Sequence, residues 1–223
     1  MMGDRVGGGM SLMAAKKLVV APNFRDNITK QQYNTDDIIL LINEVHDINI
    51  KKGRTEKLAK ALRGRNDKET LKNVYHFVQS CIKYVKDNNG YERVKEDNVT
   101  IHEGYSDCKG MSLLINSIVH HYGFSYEYKF VKYVTYFLGI PSVSQHVYPI
   151  VVTGGGQIFV LDAVNTYGGF NNELPFDELL GTIKSKGFPD NVGDTPPSVS
   201  NGFFTKLLWF GMGVIAINKL SKK

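Results

Sequence analysis

Asp107-Cys108-Lys109-Gly110-Met111-Ser112-Leu113-Leu114-Ile115-Asn116-Ser117-Ile118-Val119-His120-His121-Tyr122-Gly123 decides the architecture, because it is the last helical pattern before the period of the apolar residues changes. Met111, Leu114, Ile115, Ile118, Val119 and Tyr122 recur at three- and four-residue steps, one apolar helix face, and Gly123 closes it. Beyond it the period is two. Tyr126, Tyr128 and Phe130 alternate with Glu127 and Lys129, and the β-branched and aromatic runs 145–152 and 157–162 are split by Gly154-Gly155-Gly156, the pattern of a hairpin. Helical patterns first and alternating ones afterwards predict an α+β fold, with N-terminal helices packed on an antiparallel sheet.

Upstream, Thr35, Asp36 and Asp37 offer an N-cap and an acidic first turn to a helix carrying Ile38, Ile39, Leu41, Ile42 and Val45. It ends in a loop at Lys51-Lys52-Gly53-Arg54, and a short helix follows over 56–62. Asn66 and Glu69 stand three apart like a capping box and open a helix expected to reach about Lys86, with Leu71, Val74, Phe77, Val78, Cys81, Ile82 and Val85 on its apolar face. From there to Ser106 the sequence reads as irregular. The predicted organisation is an extended arm over 1–34, a domain over 35–188, a Pro/Gly/Ser/Asn-rich linker over 189–202 and an apolar, lysine-bearing tail over 203–223.

The net charge of +5 invites a nucleic-acid partner, but its distribution argues otherwise. After Asp194 there is no Asp, Glu or Arg, only Lys206, Lys219, Lys222 and Lys223, so residues 1–194 carry 23 basic against 22 acidic side chains. A nearly neutral body lacks the converging cations that phosphate binding requires. The stretches Lys51-Lys52-Gly53-Arg54 and Arg63-Gly64-Arg65 read as solvated loop surface, and no nucleic-acid partner is expected. The sheet aromatics read as packing, not as a base-stacking platform.

Two cysteines, Cys81 and Cys108, exclude a disulfide scaffold and a four-Cys zinc site. Cys81 lies on an apolar helix face and reads as core. Cys108 lies in a first helical turn, where unpaired N–H groups and the positive end of the dipole favour a thiolate. A base is then wanted, and the hairpin offers His146, with Asp162 ending its second strand. If the three glycines form the loop, Thr153 faces Gln157, paired positions sum to 310, and Asp162 lies opposite Tyr148, two residues from His146. Both side chains then share a face and reach each other diagonally, whereas a loop one residue longer or shorter would separate them. Cys108 attacking, His146 accepting its proton and Asp162 orienting the imidazole is the arrangement that nucleophilic catalysis needs.

Gly104-Tyr105-Ser106-Asp107-Cys108-Lys109-Gly110-Met111-Ser112-Leu113-Leu114, then Gln145-His146-Val147-Tyr148, then Phe159-Val160-Leu161-Asp162 resembles the transglutaminase-like superfamily, in particular its small bacterial and phage-type members. The resemblance spans roughly 71–165, and Ser106 stands where the family usually has Gly. It implies a papain-like core, a Cys108-His146-Asp162 triad and thiol acyl transfer at a peptide or carboxamide bond. Water as acceptor gives a protease or amidase, and an amine gives a cross-link. One oxyanion donor would be the Cys108 backbone N–H, with Tyr84 or Gln79 as candidates for the second. Asp107 reads as the helix cap.

A non-enzymatic alternative is a structural or assembly protein, such as a phage or mobile-element virion component, that retains the fold. His120 and His121 are about 100° apart on a helix, and His46, His76 and His102 lack ligand spacing, so no metal and no cofactor is assigned. No signal peptide is read at the N-terminus and the compartment is open, membrane- or virion-associated locations included. In the tail, Leu207, Leu208, Trp209 and Phe210 with Lys219, Lys222 and Lys223 read as a contact with a membrane or a larger assembly. As a helix, 203–220 would span about 27 Å, just enough to approach the thickness of a hydrocarbon core. Protein or peptide substrates, cell-wall peptides among them, are the expected partners of the site.

Overall fold

Ser11 accepts a hydrogen bond from the Ala14 N–H and starts a helix, α1 (Leu12–Leu18), inside the segment expected to be an extended arm. The computed structural model describes residues 9–23, 26–31, 34–87, 91–165, 168–190, 192, 207–210 and 213–216. Ala15 and Val19 are buried in the main core, with Leu12 and Leu18 packed against it. Seven residues are too few to display a period, and such a helix draws its stability from docking. The arm also holds β1 (Asn27–Gln31), which pairs antiparallel with 91–95.

Three helices follow near their predicted places. In α2 (Thr35–Lys52) the cap is Asn34, one residue before the expected group, accepting from Asp37 N–H. α3 (Glu56–Leu62) matches its expected bounds. α4 (Asp67–Cys81) is capped by Asn66 as expected, while Glu69 receives the Arg65 N–H. It stops short of Lys86: Ile82 is already extended, and β2 (Lys83–Tyr84) leaves to pair in parallel with 105–106. The stretch expected to be irregular contains β3 (Tyr91–Lys95), α5 (Asp97–Glu103) and β4 (Tyr105–Ser106). Nor is Lys51-Lys52-Gly53-Arg54 wholly a solvated loop. Lys52 and Arg54 bond the buried carboxylates of Asp26 and Glu96, and Arg54 also reaches Asn98, which ties the end of α2 to the start of α5.

α6 (Cys108–His120) lies on one face of a four-stranded antiparallel sheet of order β7-β6-β5-β8, formed by β5 (Ser125–Phe137), β6 (Ile140–Val152), β7 (Ile158–Val160) and β8 (Glu178–Lys184). The fold is α+β. β5 and β6 form one long hairpin through Leu138-Gly139, both at positive φ, the backbone of a primed two-residue turn. Val147 and Tyr128 pack towards Leu113 of α6, whereas Val131, Tyr148, Ile150 and Val152 pack on Phe176 and Phe188 behind the sheet. Both faces of this half of the hairpin are therefore covered, and Glu127 and Lys129, which alternate with the aromatics, are fully buried.

The tail departs from its helical reading. β9 (Leu207–Phe210) pairs antiparallel with β10 (Gly213–Ala216), Phe210 opposite Gly213. Gly211 and Gly213 interrupt the apolar run, and its β-branched second half suits a strand. Among the described residues, no helix is long and apolar enough to cross a membrane. Lys219, Lys222 and Lys223 lie outside the described residues.

Candidate active site

The register of the second hairpin is the one the glycine loop dictates. Ile150 pairs with Val160, Val151 with Phe159 and Val152 with Ile158, and Thr153 N–H donates to the Gln157 carbonyl at 3.0 Å. Leu161 N–H still reaches the Pro149 carbonyl at 2.9 Å. Asp162 therefore comes up beside the segment of β6 that carries His146, and its Oδ2 lies 3.0 Å from His146 Nε2. Its Oδ1 accepts from the Val164 and Asn165 N–H groups, both at 3.2 Å, so the carboxylate is fixed from both sides.

Cys108 is the first residue of α6, and Asp107 caps that helix by accepting from Gly110 N–H at 3.1 Å. The parallel β2–β4 pair, with Tyr84 opposite Ser106, anchors the approach to the helix. Gly110 is needed there: a Cβ at this position would stand 2.0 Å from Ser106 Oγ. Cys108 is partly buried where the two core clusters beneath α6 meet, and its thiol lies near enough to the His146 imidazole to help hold the ring's proton. With Nε2 engaged by Asp162, the nitrogen left for the sulfur is Nδ1. Thiol, imidazole and carboxylate are thus gathered at a helix N-terminus, the last two joined by a hydrogen bond.

Burial alone would lower the affinity of His146 for its proton. The Asp162 carboxylate, through charge and hydrogen bond, and then Cys108 outweigh burial and raise the imidazole pKa to about 10. At neutral pH His146 is cationic. Cys81 differs: burial pushes its thiol pKa up, and its Sγ faces the Met10 carbonyl at 3.7 Å.

Sequence reasoning missed the surroundings. Lys109, next to the thiol, is buried, and its Nζ bonds Asp107, Glu92 at 2.6 Å and Asp87 at 3.3 Å. These carboxylates converge as metal ligands would, but the ammonium already stands among them as their counter-ion and is held firmly protonated against the cost of burial. The ring centroid of His146 is 5.6 Å from that of Tyr148 and 6.2 Å from that of Tyr133. Tyr148 could have been found from its place two residues along the strand. Glu92 and Asp87 carry no local signal, because β3 reads as loop.

Cys108, His146 and Asp162 come together; the other candidates divide. Tyr84 lies within electrostatic reach of Cys108, and burial raises its phenol pKa, so it remains a donor. Gln79 donates to Tyr75 Oη at 2.7 Å. Leu207, Leu208, Trp209 and Phe210 form β9 in the tail hairpin. No protein-family model and no curated protein sequence matches the chain. The functional reading therefore rests on these residues and their geometry.

Proposed function

We propose that this chain is a thiol enzyme with a papain-like, transglutaminase-like core, acting on a peptide or carboxamide bond through Cys108, His146 and Asp162. The observation that carries the reading is that Cys108, the first residue of α6, stands near enough to His146 to strengthen its hold on a proton, while His146 Nε2 lies 3.0 Å from Asp162 Oδ2. Cys108 Sγ attacks the carbonyl carbon, and its proton is held by His146. The tetrahedral oxyanion forms beside the Cys108 backbone N–H, one of the unpaired donors of the helix start. His146 then gives the proton to the departing amine and an acyl-thioester remains. Water, deprotonated by His146, releases the acid; a primary amine in its place forms a new amide. Hydrolysis is the default outcome. The substrates proposed are proteins or peptides, cell-wall peptides included, and the apolar tail hairpin with its trailing lysines is proposed to attach the domain to a membrane surface or a larger assembly.

The test is incubation with a peptide library, with and without a primary amine, comparing wild type with Cys108→Ala. Cleaved or deamidated peptides identify a hydrolase and amine adducts a transferase, and both must vanish in the variant. No product from wild type, or the same products from Cys108→Ala, overturns the reading.

A further inference from the structure

Lys129 is wholly buried in the middle of β5, facing Tyr148 across the ladder. Its ammonium bonds Glu173 Oε1 at 2.7 Å and stands 4.6 Å from the centre of the Phe176 ring. The same Glu173 oxygen accepts the Tyr148 hydroxyl at 2.5 Å. One carboxylate oxygen thus takes both donors and fixes the Tyr148 phenol at its far end. A buried ion pair of this kind is seldom the most stable filling for a sheet face, since apolar side chains of similar volume do as well or better. Its position supplies another reason for it: the Tyr148 ring lies beside the His146 ring, tilted 33° to it, with Tyr133 as the other aromatic neighbour at 39°.

We propose that Tyr148, clamped through Glu173 by Lys129, is a positioning residue that sets the ring plane of His146 between Asp162 and Cys108. The inference rests on the reading of Cys108 and His146 as the reacting pair. The groups that face the imidazole are Cys108 from α6, Asp162 after β7, Tyr133 from β5 and Tyr148 from β6, with Glu173 and Lys129 behind Tyr148. Asp162 fixes one nitrogen but leaves the ring free to turn about that contact, and an aromatic wall with its hydroxyl anchored restricts the turn. Burial, and then Glu173, keep the Tyr148 phenol protonated, so the anchor persists across the working range of pH.

The experiment uses the full chain and iodoacetamide, with the alkylated cysteine identified by mass spectrometry at about pH 6 and about pH 9, on either side of an ordinary imidazole. Tyr148→Phe removes the hydroxyl and keeps the ring. The ratio of Cys108 alkylation rates at the lower and higher pH should fall about tenfold, because a loosened imidazolium no longer holds the thiolate. Cys81 alkylation and the far-ultraviolet circular dichroism should not change. The paired variant Lys129→Met with Glu173→Leu removes the ion pair and the acceptor of the Tyr148 hydroxyl together and should give the same fall; it carries the test if Tyr148→Phe does not fold. A folded variant whose ratio stays within about twofold of wild type overturns the inference. A wild type with no fast Cys108 reaction at the lower pH overturns the reading beneath it, which is a separate result.

Discussion

Asp162 Oδ2 and His146 Nε2 are 3.0 Å apart, and the contact follows from the odd length of the Gly154-Gly155-Gly156 loop between them. With that loop, paired positions keep the two side chains on a common face, and the Val164 and Asn165 N–H groups steady the carboxylate that results.

Asp162→Asn tests the role of the carboxylate. The amide keeps the shape but neither stabilises an imidazolium nor enforces the tautomer, so turnover on any substrate found by the library screen should fall by about 10²–10⁴-fold. Measured kcat against wild type checks it; a loss below about threefold would remove Asp162 from the mechanism.

The same pair predicts a pH dependence of stability. His146 binds its proton more tightly in the folded state, about 10 against an ordinary 6.5. Its contribution is therefore complete below about pH 6.5 and is lost as pH rises through about 10. Urea unfolding at a series of pH values should show the gap between wild type and Asp162→Asn widest at the acidic end of this window and closing towards its alkaline end. A gap that widens with pH would contradict the assignment.

Gly110→Ala should disturb the site without touching a triad residue. Its new Cβ would meet Ser106 Oγ at 2.0 Å and Ser106 Cβ at 3.1 Å, so the Ser106 hydroxyl must turn away and the approach to α6 must yield slightly. A destabilisation of about 1–3 kcal/mol is expected in urea titration, with slower Cys108 alkylation. Unchanged stability would show that the helix start tolerates movement.

Deleting 203–223 should leave Cys108 reactivity intact, because Cys108, His146 and Asp162 are placed by α6, β6 and the segment after β7. Co-sedimentation with vesicles of anionic lipid should be lost at the same time. A truncated chain that still sediments with the vesicles would place the attachment elsewhere.

The site was more legible than its frame. Asp107 before an amphipathic run is a local cap signal, and the glycine loop makes the β6–β7 register computable by counting, so Cys108, His146 and Asp162 could be brought together from sequence. α1 and β1 were not readable because each is too short to show a period, and their stability comes from docking and pairing. α4 was extended too far because Ile82 and Val85 continue its apolar rhythm. What ends it is a parallel pairing of Lys83 and Tyr84 with Tyr105 and Ser106, a distant partner that no local pattern announces. The burial of Lys129 was not readable for a similar reason: its partner Glu173 lies 44 positions away. The tail misled because an apolar run of β-branched and small residues fits strand and helix alike until its glycines are weighed.

The central claim is that Cys108 is a nucleophile activated by His146, and competitive alkylation of the folded protein by iodoacetamide tests it most directly. Sites are resolved by mass spectrometry, in wild type and in His146→Ala. The account predicts that near neutral pH Cys108 reacts at least about tenfold faster than Cys81, and that His146→Ala abolishes the difference. Equal rates at the two cysteines in wild type, or a fast Cys108 that persists without His146, would contradict it.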